Sequence, residues 1–218
     1  MKLYPIMVNM DSKPAVIIGG GEVAARKVLD LLEAGAFVKV VSPDFNDEIL
    51  NAQKSYTDKL VLLKRKYEKN DLEGAYIVFS ATNDSAVNTE VFREAEERGI
   101  LINAVDDPPN CSFYVPSFVR KGDLIIALST AGASPAMAAR LRREIEKHIP
   151  EDIDLVLEKL KTARTLLKED EFFNSLDSSG RGTILKKIVS EDKLIEAMNS
   201  CSDDDMVDFL LGVKDSCD

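Results

Sequence analysis

Gly19, Gly21 and Ala24 stand in the spacing G-x-G-x-x-A where an apolar run, Val16-Ile17-Ile18, gives way to a helical pattern. A turn of this composition can hold a pyrophosphate. Gly19 permits the tight passage from strand to helix, Gly21 lets phosphate approach bare backbone, and Ala24 is small enough for the helix to pack closely on the strand. The unpaired N–H groups of the first helical turn then face the phosphates, so a dinucleotide is the expected ligand. A plain tight turn is the competing reading, and the surroundings argue against it. Val23, Val28, Leu31 and Leu32, with the stem of Lys27, recur along one side of the following helix, Gly35 closes it, and a second β-branched run follows at 37–41.

Further candidates lie where other apolar runs end. After the second run, Ser42 or Asp44 can bond the ribose hydroxyls, and no arginine stands beside them for a 2′-phosphate, which favours NAD over NADP. After the fourth, Ser80-Ala81-Thr82-Asn83-Asp84 offers small residues and hydroxyls where a cofactor crosses the sheet edge. Ala81 and Thr82 are its candidate contacts, while Asn83 or Asp84 reads as a helix cap. After the fifth come Asn103 and Asp106, ahead of Pro108-Pro109. Asp106 is placed for acid–base chemistry, although an acid before such a turn also serves as a turn cap. Ser129 to Pro135 is a hydroxyl-bearing loop that opens a basic helix with Arg140, Arg142 and Arg143, which cannot all face one way. Asn103, Ser129, Thr130, Gly132, Ser134 and Arg140 are the candidate substrate contacts.

These residues require a scaffold. Apolar runs at 15–18, 37–41, 60–63, 76–79 and 100–104 alternate with polar or helix-like segments, which predicts an α/β domain with a Rossmann-type parallel sheet over residues 1–112. Its other clear helix runs from Ser85 to Arg98 and ends at Gly99. Short strands are expected at 113–115, 118–119 and 124–129, the last two joined by a hairpin turn at Lys121-Gly122-Asp123. Ser134-Pro135 reads as an N-cap and first helical residue, with Met137, Ala138, Leu141 and Ile145 as the stripe of a helix that runs to His148 and stops at Pro150. Residues 113–149 thus form a small α+β segment whose strands and apolar stripe need a partner surface, and homodimerisation is expected there. From Glu151 the pattern is helical, interrupted at Ser178-Ser179-Gly180, and residues 150–218 form a C-terminal helical module. Its apolar stripe, Ile184, Leu185, Ile188, Leu194 and Met198, is assigned to packing.

The 218 residues carry a net charge of −10, which argues against nucleic acid as a partner. The acidity is uneven. Residues 191–218 hold nine acids against Lys193 and Lys214, a net of −7 that leaves −3 for the rest, whereas residues 113–148 are positive and suit an anionic ligand. No apolar run approaches the roughly 20 residues that span a bilayer. The opening residues lack the features of a signal peptide, and a soluble cytoplasmic protein without membrane contact is expected. Cys111, Cys201 and Cys217 are odd in number and have no C-x-x-C spacing, so they read as reduced thiols rather than disulfides or a metal site.

Taken together, Gly-Gly-Gly-Glu-Val-Ala-x-Arg-Lys, Val-Val-Ser-Pro, Ser-Ala-Thr-Asn-Asp, Asn-x-x-Asp-x-Pro-x-x-Cys-x-Phe and Ser-Thr-x-Gly-x-Ser-Pro resemble the precorrin-2 dehydrogenase family. That family includes single-module enzymes, bifunctional dehydrogenase/ferrochelatases and the N-terminal half of multifunctional sirohaem synthases. The resemblance covers about residue 3 to about residue 148. It implies NAD-dependent oxidation of precorrin-2 to sirohydrochlorin by an intertwined homodimer. By position it makes Glu22 and Val23 pyrophosphate contacts, Pro43 and Asp44 ribose-side contacts, Asp106 the catalytic carboxylate, and the 129–135 loop the border of the tetrapyrrole cleft. Some members also insert ferrous iron as a substrate, which the sequence leaves open for this chain. A non-catalytic NAD-sensing module is the rival reading; it explains the first domain but neither Asp106 in its setting nor the loop with a basic helix behind it. A hydroxyacid-type dehydrogenase is disfavoured, since the single histidine, His148, reads as a surface residue at a helix end.

Overall fold

Runs of β-branched and aliphatic residues, too short for helices, form the strands β1 (Pro14–Ile18), β2 (Phe37–Ser42), β3 (Leu60–Lys64), β4 (Ile77–Ser80) and β5 (Leu101–Ala104). They make one parallel sheet in the order β3-β2-β1-β4-β5, with Ile17 of β1 level with Val40 on one side and Phe79 on the other. The chain steps from β1 one way to β2 and β3, then returns to the other side for β4 and β5. This reversal opens a crevice at the carboxyl end of β1. The computed structural model describes residues 2–105 and 107–217, which divide into a unit of Leu3–Val115 and a second unit from Pro116 onward.

Both faces of the sheet are covered, which is why its strands read as continuous apolar runs rather than alternating ones. Helices α1 (Glu22–Glu33) and α2 (Asp47–Ser55) lie on one face, where Ile17, Val38 and Val40 meet Ala24, Val28 and Ile49. Helix α3 (Ser85–Arg98) lies on the other, where Ile18, Val41 and Ile102 meet Leu72, Val91 and Ala95. The bounds of α3 are the predicted ones, because the Asp84 carboxylate accepts the N–H groups of Ala86 and Val87 and Gly99 leaves the helix at φ +66°.

The connection from β3 to β4 crosses the second face without a helix. Two buried carboxylates hold it. Asp71, 7% exposed, accepts both guanidinium arms of Arg65 at 2.6 and 2.7 Å and the Glu68 N–H at 2.9 Å. Glu94 of α3, 3% exposed, accepts the Tyr67 hydroxyl, the Asn70 N–H at 3.0 Å and the Arg98 Nε–H at 2.9 Å. The Arg65 fork draws the Asp71 carboxyl below its ordinary range against the upward push of burial. Burial also pushes Glu94 up, but its three donors outweigh this and leave it below its ordinary value. Tyr67 moves the opposite way, raised by burial and then by Glu94.

In the second unit, β6 (Ser117–Lys121) and β7 (Leu124–Leu128) form the expected antiparallel hairpin, with Gly122 at φ +52° in its turn. Helix α4 (Pro135–Glu146) packs on the hairpin and is capped by Ser134, whose hydroxyl accepts the Met137 N–H at 3.2 Å. Helices α5 (Ile153–Glu169), α6 (Ser178–Ser190), α7 (Asp192–Ser200) and α8 (Met206–Asp215) enclose a separate core around Phe173, Ile184, Ile188, Met198 and Leu210. Among the described residues, no helix is long and apolar enough to cross a membrane.

Two expectations fail. Residues 113–115 form no strand, because the Phe113 carbonyl is taken by the Asn103 side-chain amide at 3.0 Å and its ring packs edge-on against Phe79, 5.4 Å between centroids. Ser178-Ser179-Gly180 does not interrupt a helix but begins α6, since Asp177 accepts the Gly180 N–H at 2.7 Å and caps that turn. The break lies upstream, at 170–177.

Removing the Glu94 acceptor strands buried donors, and Glu94→Ala is expected to cost about 3 kcal/mol in urea unfolding. Because Asp71 and Glu94 titrate below their unfolded values of about 4, they add stability above that pH and lose it as pH falls through their folded values. The urea midpoint should therefore decline below about pH 4. Glu94→Gln should shallow that decline, and an identical acid limb in the variant would contradict the assignment.

Candidate dinucleotide site

The glycine turn is wedged between the segments that leave β2 and β4. Gly19 takes φ +117°, donates its N–H to the Val41 carbonyl at 2.9 Å, and a methyl group placed on it would lie 2.2 Å from the Ala81 carbonyl oxygen. A methyl on Gly20 would meet the Asp44 carbonyl oxygen at 2.0 Å, and the Gly20 carbonyl accepts the Asn46 N–H at 2.7 Å. Gly21 is different. Nothing lies within 4 Å of where its side chain would be, and no side chain caps α1 behind it. The first turn of α1 therefore has no side-chain cap, and the buried Ala24 brings that helix against the sheet. A bare backbone turn at an uncapped helix start fits a pyrophosphate.

The turn opens on a cleft of about 490 Å³. Gly19, Gly21, Glu22, Val23, Ser42, Pro43, Ala81 and Thr82 all border it. Asp44 sits differently: its main chain supports Gly20, while its exposed carboxylate lies 3.7 Å from the ammonium of Lys64, the residue paired with Ser42 across the β2–β3 ladder. Thr82 is fixed through its hydroxyl, which accepts the Asp84 N–H at 2.8 Å, and its carbonyl, which accepts from Asn88 at 3.0 Å. Of the two possible caps, Asp84 serves α3 and Asn83 borders the cleft. Sequence reasoning missed Lys66, Tyr67 and Val87 on the cleft wall. No spacing in the chain signals them, because Lys66 and Tyr67 belong to an irregular connection whose path depends on Asp71 and Glu94.

Asp106 lies outside the described residues. On either side of it, the Val105 N–H donates to Ser80 at 2.9 Å, and Asp107 accepts the Asn110 side-chain amide at 2.7 Å. The half-buried thiol of Cys111 donates to the Ala104 carbonyl at 3.1 Å, and burial raises its pKa, so it stays a thiol. Asn103 is half-buried and tied to Phe113. The other substrate candidates belong to the second unit. Ser129 accepts the Ala131 N–H at 3.1 Å and Thr130 the Ser134 N–H at 3.0 Å, so their hydroxyls shape the loop itself, where Gly132 takes φ +86°. Arg140 is exposed on α4, and His148 is exposed beyond its end, its Nδ1 2.8 Å from the Glu144 carbonyl. Among the described residues no three His, Cys, Asp or Glu side chains gather as a metal site.

Residues 6–117 match the family described as "Putative NAD(P)-binding", and residues 121–148 match that described as "Sirohaem biosynthesis protein central". The chain is 35% identical over 169 residues to a siroheme synthase of Zymomonas mobilis, which covers 78% of this chain and 36% of the relative. It is 33% identical over 192 residues to the siroheme synthase of Photorhabdus laumondii, covering 85% and 40% respectively. The chain thus spans well under half the length of these curated relatives. Among solved structures, SirC, a precorrin-2 dehydrogenase, shares the fold with a TM-score of 0.75 at 24% identity, covering 98% of this chain and 100% of its own. The resemblance drawn from the motifs agrees with these relatives. Since the first of the two matches spans just over half of its length, the chain belongs to the NAD(P)-binding family.

Proposed function

We propose that the chain oxidises precorrin-2 to sirohydrochlorin with NAD as the hydride acceptor, acting as a cytoplasmic homodimer. The observation that carries this reading is the tandem on one chain: a bare glycine turn opening on a cleft, within the NAD(P)-binding match, followed directly by the sirohaem-biosynthesis match. The names of the siroheme synthase relatives and of the dehydrogenase that shares the fold support the same substrate.

When bound, NAD supplies the carbon that accepts a hydride from the macrocycle. The chain's own part is to hold and orient. In this reading the N–H groups at Glu22 and Val23 take the pyrophosphate, and Ser42, Pro43 and Asp44 border the adenosine ribose. Ala81 and Thr82 lie where the cofactor crosses from β1 to β4. Asp106, two residues past the end of β5, takes the proton lost with the hydride. Asn103, the 129–134 loop and Arg140 are assigned to the tetrapyrrole, whose several carboxylates suit the positive segment at 113–148.

The test is reduction of NAD on mixing with anaerobically prepared precorrin-2, run with and without ferrous iron so that metal insertion is read in the same experiment. Gly21→Asp should abolish measurable NAD binding in calorimetry while the chain stays folded, because no protein atom lies within 4 Å of its Cβ position and the carboxylate brings a like charge to the phosphate site. Unchanged affinity in a folded variant would remove the assignment.

Asp106→Asn preserves size but not proton acceptance, and should slow oxidation by roughly 10²–10⁴-fold with NAD affinity unchanged. Asp107→Asn is the control, since Asp107 is engaged with Asn110. Equal damage from both would indicate loop disruption instead.

Ile125, Met137 and Leu141 are exposed apolar side chains on the hairpin and α4. If residues 113–149 make the dimer contact, sedimentation at micromolar concentration should give a dimer, and Leu141→Glu should shift it towards monomer. A wild-type monomer would contradict the reading.

A further inference from the structure

The β3–β4 connection is built more firmly than a surface connection requires. Glu94 sits mid-helix on the core face of α3, beside Val91 and Ala95, where an apolar residue would ordinarily pack. Its carboxylate instead gathers the Tyr67 hydroxyl, the Asn70 N–H and Arg98, and Arg98 also donates to the Asn70 side chain at 2.7 Å. Asn70 is held at φ +82°, a left-handed conformation costly for a residue other than glycine. Asp71, with its Arg65 fork, anchors the same connection a second time.

What this bracing fixes at the cleft is Tyr67. Its ring packs at the edge of the core under α3, and both Tyr67 and Val87 border the cleft. With the hydroxyl committed to Glu94, the surface that Tyr67 presents is aromatic. Ladder pairing sets Ser42 opposite Lys64, so the connection leaves β3 beside Ser42 and Pro43, at the end of the cleft assigned to the adenosine ribose. Ile18 and Val41 border the same cleft. A flat, weakly polar ring is the ligand part that such a wall accommodates, and in a dinucleotide that part is the adenine.

We propose that Tyr67 is the wall on which the adenine ring stacks and that Glu94 is the residue that positions it. This rests on the reading of the cleft as an NAD site. Stacking of a base on an aromatic side chain is worth on the order of 5- to 150-fold in affinity, so Tyr67→Ala should weaken ADP-ribose and NAD binding by roughly 10-fold or more in calorimetry. Tyr67→Phe and Glu94→Gln keep an aromatic ring but loosen its hold, and should lose less.

The discriminating measurement compares NAD with nicotinamide cytosine dinucleotide, whose smaller base stacks less. Wild type should prefer NAD, and Tyr67→Ala should lose most of that preference. An equal loss for both dinucleotides, or no loss in a folded Tyr67→Ala chain, would overturn the proposal while leaving the NAD reading intact. Failure of the wild-type chain to bind NAD at all would overturn both.

Discussion

The contact between the backbone of Gly19–Gly20 and the carbonyl groups of Ala81 and Asp44 sets the geometry of the first unit's functional edge. Because β1 is central, the turn that leaves it must pass between the segments leaving β2 and β4. A side chain at either glycine would overlap a main-chain oxygen, so these segments close around the turn only if both positions are bare. Once they close, Gly21 is the first point at which the chain faces open space, and it coincides with the uncapped start of α1. The three glycines therefore differ in kind. Substitution at 19 or 20 is resisted by the protein itself, whereas at 21 only a ligand would resist it.

Helix α3 then completes the cleft from the opposite side, and it does so at three levels. Its cap, Asp84, holds the turn that contains Thr82; its first-turn Val87 borders the cleft; its buried Glu94 reaches across to Tyr67 and Asn70. This last contact substitutes for the helix that commonly fills a parallel crossover. A charge-assisted bond to a buried carboxylate is stronger than a neutral one, and three donors on one acid can hold an irregular segment that has few hydrogen bonds of its own. The arrangement makes the wall of the cleft dependent on protonation, since a neutral Glu94 would lose part of its hold on both Tyr67 and Arg98.

Legibility from the sequence followed the range of the interaction that decides each feature. The span of α3 could be read to its ends because Asp84 and Gly99 act on their immediate neighbours. The strands and the glycine turn could be read because continuous apolar runs and bare positions are local signals. The 113–115 segment misled, because β-branched and aromatic residues there satisfy a strand pattern while Asn103, ten residues earlier, takes the Phe113 carbonyl. Ser178-Ser179-Gly180 misled for a related reason: its helix-breaking composition is outweighed by the single cap at Asp177. Tyr67 was invisible because its partner, Glu94, stands 27 residues away, and a glutamate in a charged helix reads as a solvated one. The pairing of the Asp44 side chain with Lys64 could not be read, since it depends on the β2–β3 register, which sets Lys64 opposite Ser42.

The fold alone would serve many chemistries, since a glycine turn between parallel strands holds a dinucleotide without regard to what is reduced. What narrows the chemistry is the asymmetry of side chains around that turn. The glycine turn meets the cleft with almost pure backbone, while the wall towards β3 carries a tyrosine held by a buried acid. The carboxyl end of β5 is the remaining side, where Ser80 accepts the Val105 N–H, Asp107 bonds Asn110, and Cys111 is occupied by Ala104. Those polar groups are engaged in shaping their own loop, which is why the acid–base role is proposed for Asp106 rather than for the Cys111 thiol.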